Sequence, residues 1–151
     1  MDNHIITMLA VFGNLKRILK QYDEIIKNKS RIINADMSAS EQCKIIAKII
    51  NQKQRLLELY FIVDDFLNKL TDKEALLIKG KYINQSHYIK CAEEAGVKIR
   101  AYYRKINNIK KEVNFYFNSR GYTRDWFFQN YSDINFMMTL FNRADCAGIR
   151  G

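Results

Sequence analysis

Six basic residues, Lys98, Arg100, Arg104, Lys105, Lys110 and Lys111, fall within residues 98–111 with no acid among them, and Asn107 and Asn108 lie in the same segment. Phosphates call for cations, and base edges call for directional donors and acceptors, so this set suits duplex nucleic acid. Arginine pairs bidentately with guanine and asparagine with adenine, each good pair discriminating by about 1–3 kcal/mol. At helical spacing Tyr102, Ile106, Ile109 and Val113 make one inward stripe, which leaves Arg100, Tyr103, Arg104, Asn107 and Asn108 facing away. Arg100 and Arg104, one turn apart, are the first candidates for base or adjacent phosphate contact. The competing reading makes them solvated charges or pairs them with Glu93 and Glu94. Tyr103 suits a phosphate, a thymine methyl or simply the rim of the core.

Residues for other chemistry are scarce. The only histidines are His4 and His87, and His87 sits near a helix start, where capping or surface exposure is expected. There is no Gly-rich phosphate loop, no paired metalloprotease histidines and no serine in a strand-to-helix elbow. Asp64 and Asp65 are adjacent in a helix and so point to different faces, which argues against a paired-carboxylate site. We expect no enzyme. Cys43, Cys91 and Cys146 are far apart with no C-x-x-C, so the expectation is free thiols in a reducing cytoplasm and neither metal nor cofactor.

Composition narrows the class. The chain has 151 residues, no proline, six glycines and 48% apolar residues, which favours an all-helical, well-packed protein of about one domain. Formal net charge is +9, and residues 71–113 alone carry 10 basic against 5 acidic residues. That suggests a polyanionic partner, nucleic acid before membrane. The N-terminal apolar patch, residues 5–12, precedes its basic residues, the reverse of a secretory signal, and no apolar run approaches the length of a membrane span. A cytoplasmic location is expected.

The elements that must position these side chains follow from periodicity. Ile5, Met8, Phe12, Leu15, Leu19, Tyr22 and Ile26 repeat at intervals of three and four, predicting one long helix over about residues 4–28. Asn34 and Asp36 break the pattern, and Ser38 with Glu41 has capping-box spacing. A second long helix then carries Ile45, Ile49, Leu56, Leu59, Val63, Phe66 and Leu70, with Gln52 in one seam position as a register-setting polar residue or a point open to water. The two helices can pair as a hairpin or between chains. Thr71 and Glu74 open a third helix with Ala75, Leu76, Ile78 and Tyr82 on its apolar face, and Ser86 is placed to cap a short helix ending near Ala95. Gly96 is the expected left-handed turn, Ala92 the small residue at a helix crossing, and Val97 the plug between helices. A longer helix follows over about residues 98–117. Residues 118–151 are aromatic-rich; Trp126, Phe127, Tyr131, Ile134, Phe136, Met137 and Leu140 predict one further amphipathic helix on the protein's own core, a partner site being the alternative.

The expected architecture is therefore an N-terminal helical hairpin or coiled coil (1–70), a helix-turn-helix unit (71–117) and an aromatic extension (118–151). The stretch LTDKEALLIKGKYINQSHYIKCAEEAGVKIRAYYRKINNIKK, with Tyr82-Ile83 closing a capped helix and alanine and glycine at 92 and 96, resembles the helix-turn-helix of the C-terminal domain of bacterial sigma factors. The version it looks like is found in phage and prophage transcriptional regulators of the ArpU/RinA type, and the likeness covers about residues 38–113. It implies a sequence-specific regulator of phage genes, with contacts at residues 98–104, Ala101 among them. Double-stranded DNA is then the partner, RNA polymerase a candidate second one. Because one helix-turn-helix reads only a short half-site, a homodimer is expected. Two rival functions stand beside this: a protein-interaction module using the heptad helices and the aromatic tail, and nonspecific or RNA binding through the basic excess and tyrosines.

Overall fold

The computed structural model describes residues 1–31 and 37–150, with side chains over 1–29 and 37–145. The break at Asn34 and Asp36 and the thiol of Cys146 lie outside the described residues. The described residues form eight α-helices and no strand: α1 Asn3–Phe12, α2 Leu15–Arg31, α3 Ala39–Asn68, α4 Asp72–Ile78, α5 Tyr88–Glu94, α6 Ile99–Ser119, α7 Arg124–Tyr131 and α8 Asn135–Arg150. α4 runs on into one π-helical turn, Lys79–Ile83, closed by the Asn84 N–H donating to the Lys79 carbonyl at 2.7 Å. Among the described residues no helix is long and apolar enough to cross a membrane.

The expected long first helix is two helices, α1 and α2. Gly13 marks the break, where the Asn14 N–H donates back to the Val11 carbonyl. A Cβ at Gly13 would come within 3.0 Å of the Ile83 side chain and 3.1 Å of its carbonyl, so glycine admits the π turn against the bend. α1 lies near the centre, in contact with α3, α8 and that π turn. Its Ile5, Met8 and Leu9 are wholly buried.

α2 lies along α3 within the chain. Gln52 fills its seam position by hydrogen bonding: the Tyr22 hydroxyl donates to its Oε1 at 3.1 Å, and its Nε2 donates to Asp133 at 3.4 Å. α3 starts where expected, Ser38 Oγ accepting from the Glu41 N–H at 3.2 Å. Along it Leu56, Leu59, Val63 and Phe66 are buried, whereas Ile45 and Ile49 are half-buried.

The aromatic extension packs on the protein's own core, as two helices. Thr123 caps α7 by accepting from the Trp126 N–H, and the chain turns at Ser132 before α8. Phe127, Tyr131, Ile134, Met137 and Phe141 are buried; Trp126, Phe136 and Leu140 are half-buried. Phe127 lies 6.2 Å from the His4 ring of α1 and 5.6 Å from Phe141. His4 is itself buried, its Nε2 2.9 Å from the Tyr122 carbonyl, and burial holds its pKa below the ordinary value, so it is a neutral donor that ties α1 to the segment after α6.

Arg55 of α3 clamps this extension. Its guanidinium meets Asp133 with two hydrogen bonds, 2.6 and 2.7 Å, and also donates to the Asn130 carbonyl, while the Tyr131 hydroxyl donates to the Arg55 carbonyl at 3.2 Å. Asp133→Ala should lower unfolding free energy by about 1–3 kcal/mol, since it leaves a partly buried guanidinium without its bidentate partner. Asp23→Ala, which removes the more exposed pair with Lys53, should change it by less than about 0.5 kcal/mol. Urea unfolding of the two variants checks the contrast.

Candidate nucleic-acid interface

The basic segment is held by α4, α5 and α6, which touch one another pairwise. Thr71 opens α4 with a reciprocal capping box: its Oγ1 accepts from the Glu74 N–H, and the Glu74 carboxylate accepts from the Thr71 N–H. α4 and its π turn bury Leu77, Ile78 and Tyr82. The expected cap at Ser86 is corrected to His87, whose Nδ1 accepts from the Ile89 N–H. Ser86 is otherwise engaged, its N–H donating to the Gly80 carbonyl at 2.8 Å and its carbonyl accepting from the Cys91 thiol.

α5 ends as the glycine spacing predicts. Gly96 has φ +67, its N–H donates to the Glu93 carbonyl, and the Val97 N–H donates to the Ala92 carbonyl, both at 3.0 Å. These two bonds satisfy carbonyls that the helix end would otherwise leave open. A Cβ at Gly96 would meet nothing within 4 Å, so the position asks for glycine by backbone conformation alone. Gly96→Ala should therefore cost about 1–2 kcal/mol from left-handed strain and Gly96→Asn less, measured by thermal unfolding. Equal stability of all three would contradict this account.

α6 follows directly. Its inward stripe is Tyr102, Ile106, Ile109, Val113 and Phe117, all buried against α4, α5 and the rest of the core. Lys98 is the N-cap and contributes no side-chain cap bond, and the first turn has no acid. The N–H groups of that turn, with the positive end of the helix dipole, therefore face outward unneutralised.

The outer face holds the candidate residues together. Lys98, Arg100, Tyr103, Arg104, Asn107 and Asn108 are exposed; Ala101 and Lys105 are half-buried along the same helix. Among the described residues no carboxylate lies within ion-pair distance of Arg100 or Arg104; Glu94 instead lies 3.9 Å from Lys90. Lys81 of the π turn and Lys110 of α6 are both half-buried, and burial together with the neighbouring Lys110 ammonium holds the Lys81 pKa below its ordinary range. Tyr88 is exposed, its ring 4.5 Å from His87 on one side and 5.7 Å from Tyr103 of α6 on the other. This aromatic bridge between α5 and α6 was not legible in helical spacing, because a residue in the first turn of a seven-residue helix is not placed by a period of 3.6. Ile99, beside it, is exposed too.

Among the described residues no group of three or more His, Cys, Asp or Glu could hold a metal ion. Asp65 is committed to Lys69 at 3.1 Å and to the Tyr116 hydroxyl at 3.2 Å, and these bonds hold its pKa below the ordinary carboxylate value. No protein-family model matches the chain, and no curated protein or solved structure matches it.

Proposed function

We propose that the chain is a sequence-specific, double-stranded DNA-binding transcriptional regulator, with α4 to α6 acting as a helix-turn-helix and α6 lying in the major groove. The observation that carries this reading is the outer face of α6. Arg100, Arg104, Asn107 and Asn108 stand exposed there, the arginines unpaired, above a stripe that fixes the helix to the core. Guanidiniums and carboxamides on one accessible helix face provide the donor and acceptor pattern that base edges require. The uncapped first turn of α6, with Lys98, suits a backbone phosphate. On this reading the protein is a phage or prophage regulator of the ArpU/RinA type, works as a homodimer in the cytoplasm, contacts RNA polymerase as a second partner and has no catalytic role.

A second reading, a helical adaptor for another protein, draws on Leu57 and Phe61, one turn apart on α3 and exposed, and on Phe115, the most exposed large apolar residue of the described set. Salt separates the two. Fluorescence anisotropy on a labelled duplex should show affinity falling about a hundredfold between roughly 50 and 200 mM salt if about four phosphates are contacted, a log-log slope near −0.9 per contact. A flat salt response, or no duplex binding at low salt, would favour the adaptor.

A further inference from the structure

A cleft of about 770 Å3 opens between α2, α3 and α8, away from the outer face of α6. Its walls are apolar on three sides, with Ile18 and Ile25 from α2, Ile49 from α3, and Phe136 and Leu140 from α8. Among its polar lining residues, which also include Asn14, Gln21 and Thr139, the Tyr22 hydroxyl donates to Gln52 and Gln52 donates onward to Asp133. Among the described residues its charged lining residues are Arg17 and Arg143, from two different helices, and no acidic residue lines it. Neither guanidinium has a carboxylate within ion-pair distance among the described residues.

We propose that this cleft binds one small amphipathic anion, an apolar acyl or aromatic body carrying a single carboxylate. Its volume falls in the range of about 300–1,000 Å3 typical of small-ligand pockets, which combine apolar walls with a few placed polar groups. The walls recognise the apolar body by removing its surface from water. The arginines recognise the head, since a guanidinium fork matches a carboxylate bidentately and the lining offers no competing anion. A neutral ligand would leave both guanidiniums without a partner, and a cationic one would be repelled. Gln85 also lines the cleft, and it is the one non-glycine residue of the described chain with positive φ, +52. It lies two residues before the His87 cap of α5, so an occupant touches the segment that leads into α5 and α6. The binding claim is independent of the DNA reading and is tested without DNA.

The test uses the whole chain and a fluorescent aromatic sulfonate, 8-anilinonaphthalene-1-sulfonate, as the probe. The expected result is one saturable site per chain, with displacement by laurate below its micellar concentration and displacement by 1-dodecanol at least tenfold weaker, because the alcohol keeps the chain and lacks the charge. Arg17→Ala/Arg143→Ala should weaken laurate binding at least tenfold with an unchanged melting temperature, both side chains being exposed and unpaired. Equal potency of laurate and dodecanol on the unaltered protein, probe binding that does not saturate at one site, absence of probe binding, or laurate affinity indifferent to the double substitution would each overturn the proposal.

Discussion

Raised from about pH 9 to about pH 12, the protein should lose its helical structure, with three buried tyrosines as the cause. Tyr82 and Tyr102 are held up to about 12, by burial first and then by the neighbouring Tyr102 phenol and Cys91 thiol respectively. Tyr131 is pushed further in the same direction, by burial and then by Glu58. In the unfolded chain each would ionise near 10. Between these values the folded state holds more protons than the unfolded state, so unfolding free energy falls as pH rises; the contribution is complete below about pH 10 and vanishes through about pH 12. That loss is drawn from a total stability of about 5–15 kcal/mol for a domain of this kind. Absorbance of phenolate and far-UV circular dichroism, followed together, should show part of the nine tyrosines ionising only as helicity collapses. Ionisation of all nine near pH 10 with helicity retained would contradict the burial.

Phe117→Ala should cost about 3–5 kcal/mol, the range for deleting a buried aromatic ring that its neighbours cannot replace. The ring is wholly buried where α6 meets α3, 5.0 Å from Phe66 and 5.4 Å from Tyr116. It also closes the end of α6: the Tyr122 N–H donates to the Phe117 carbonyl at 3.0 Å past Gly121, and the Tyr122 ring lies 6.3 Å from that of Phe117. The internal control is two residues away on the same helix. Phe115 is 75% exposed, so Phe115→Ala should change stability by less than about 0.5 kcal/mol. Urea denaturation of the pair tests whether the face of α6 is placed as described; similar losses would contradict it.

The elements legible in advance are those whose signals are local. The stripe of Tyr102, Ile106, Ile109 and Val113, the caps at Ser38 and Thr71 and the left-handed Gly96 each depend on residues within one or two turns. What escaped depends on distant partners. The apolar repeat runs unbroken from Ile5 to Ile26, yet the chain divides into two helices at Gly13, where a Cβ would crowd Ile83, seventy residues away. Serine is the better capping residue in general, yet α5 begins at Tyr88, so the N-cap position falls to His87 and not to Ser86. The start of α7 had a readable signal in Thr123, while the role of Asp133 as partner of Arg55 had none, since charge pairing across 78 residues leaves no periodic trace. The candidate residues on α6 were legible because alternation of apolar and polar positions alone decides which face of a packed helix meets water. Their exposure together on one accessible face is what the fold adds.

The most direct test of the central claim is selection from a pool of random duplexes, followed by anisotropy on the enriched sequence with the unaltered protein and with Arg100→Ala/Arg104→Ala. The account predicts an enriched motif, salt-sensitive binding that unrelated duplex or single strand does not displace, and at least a thirtyfold loss of affinity in the double variant, about 2 kcal/mol, with unchanged circular dichroism. No enrichment and no duplex binding at low salt, or full affinity after removal of both arginines, would contradict it.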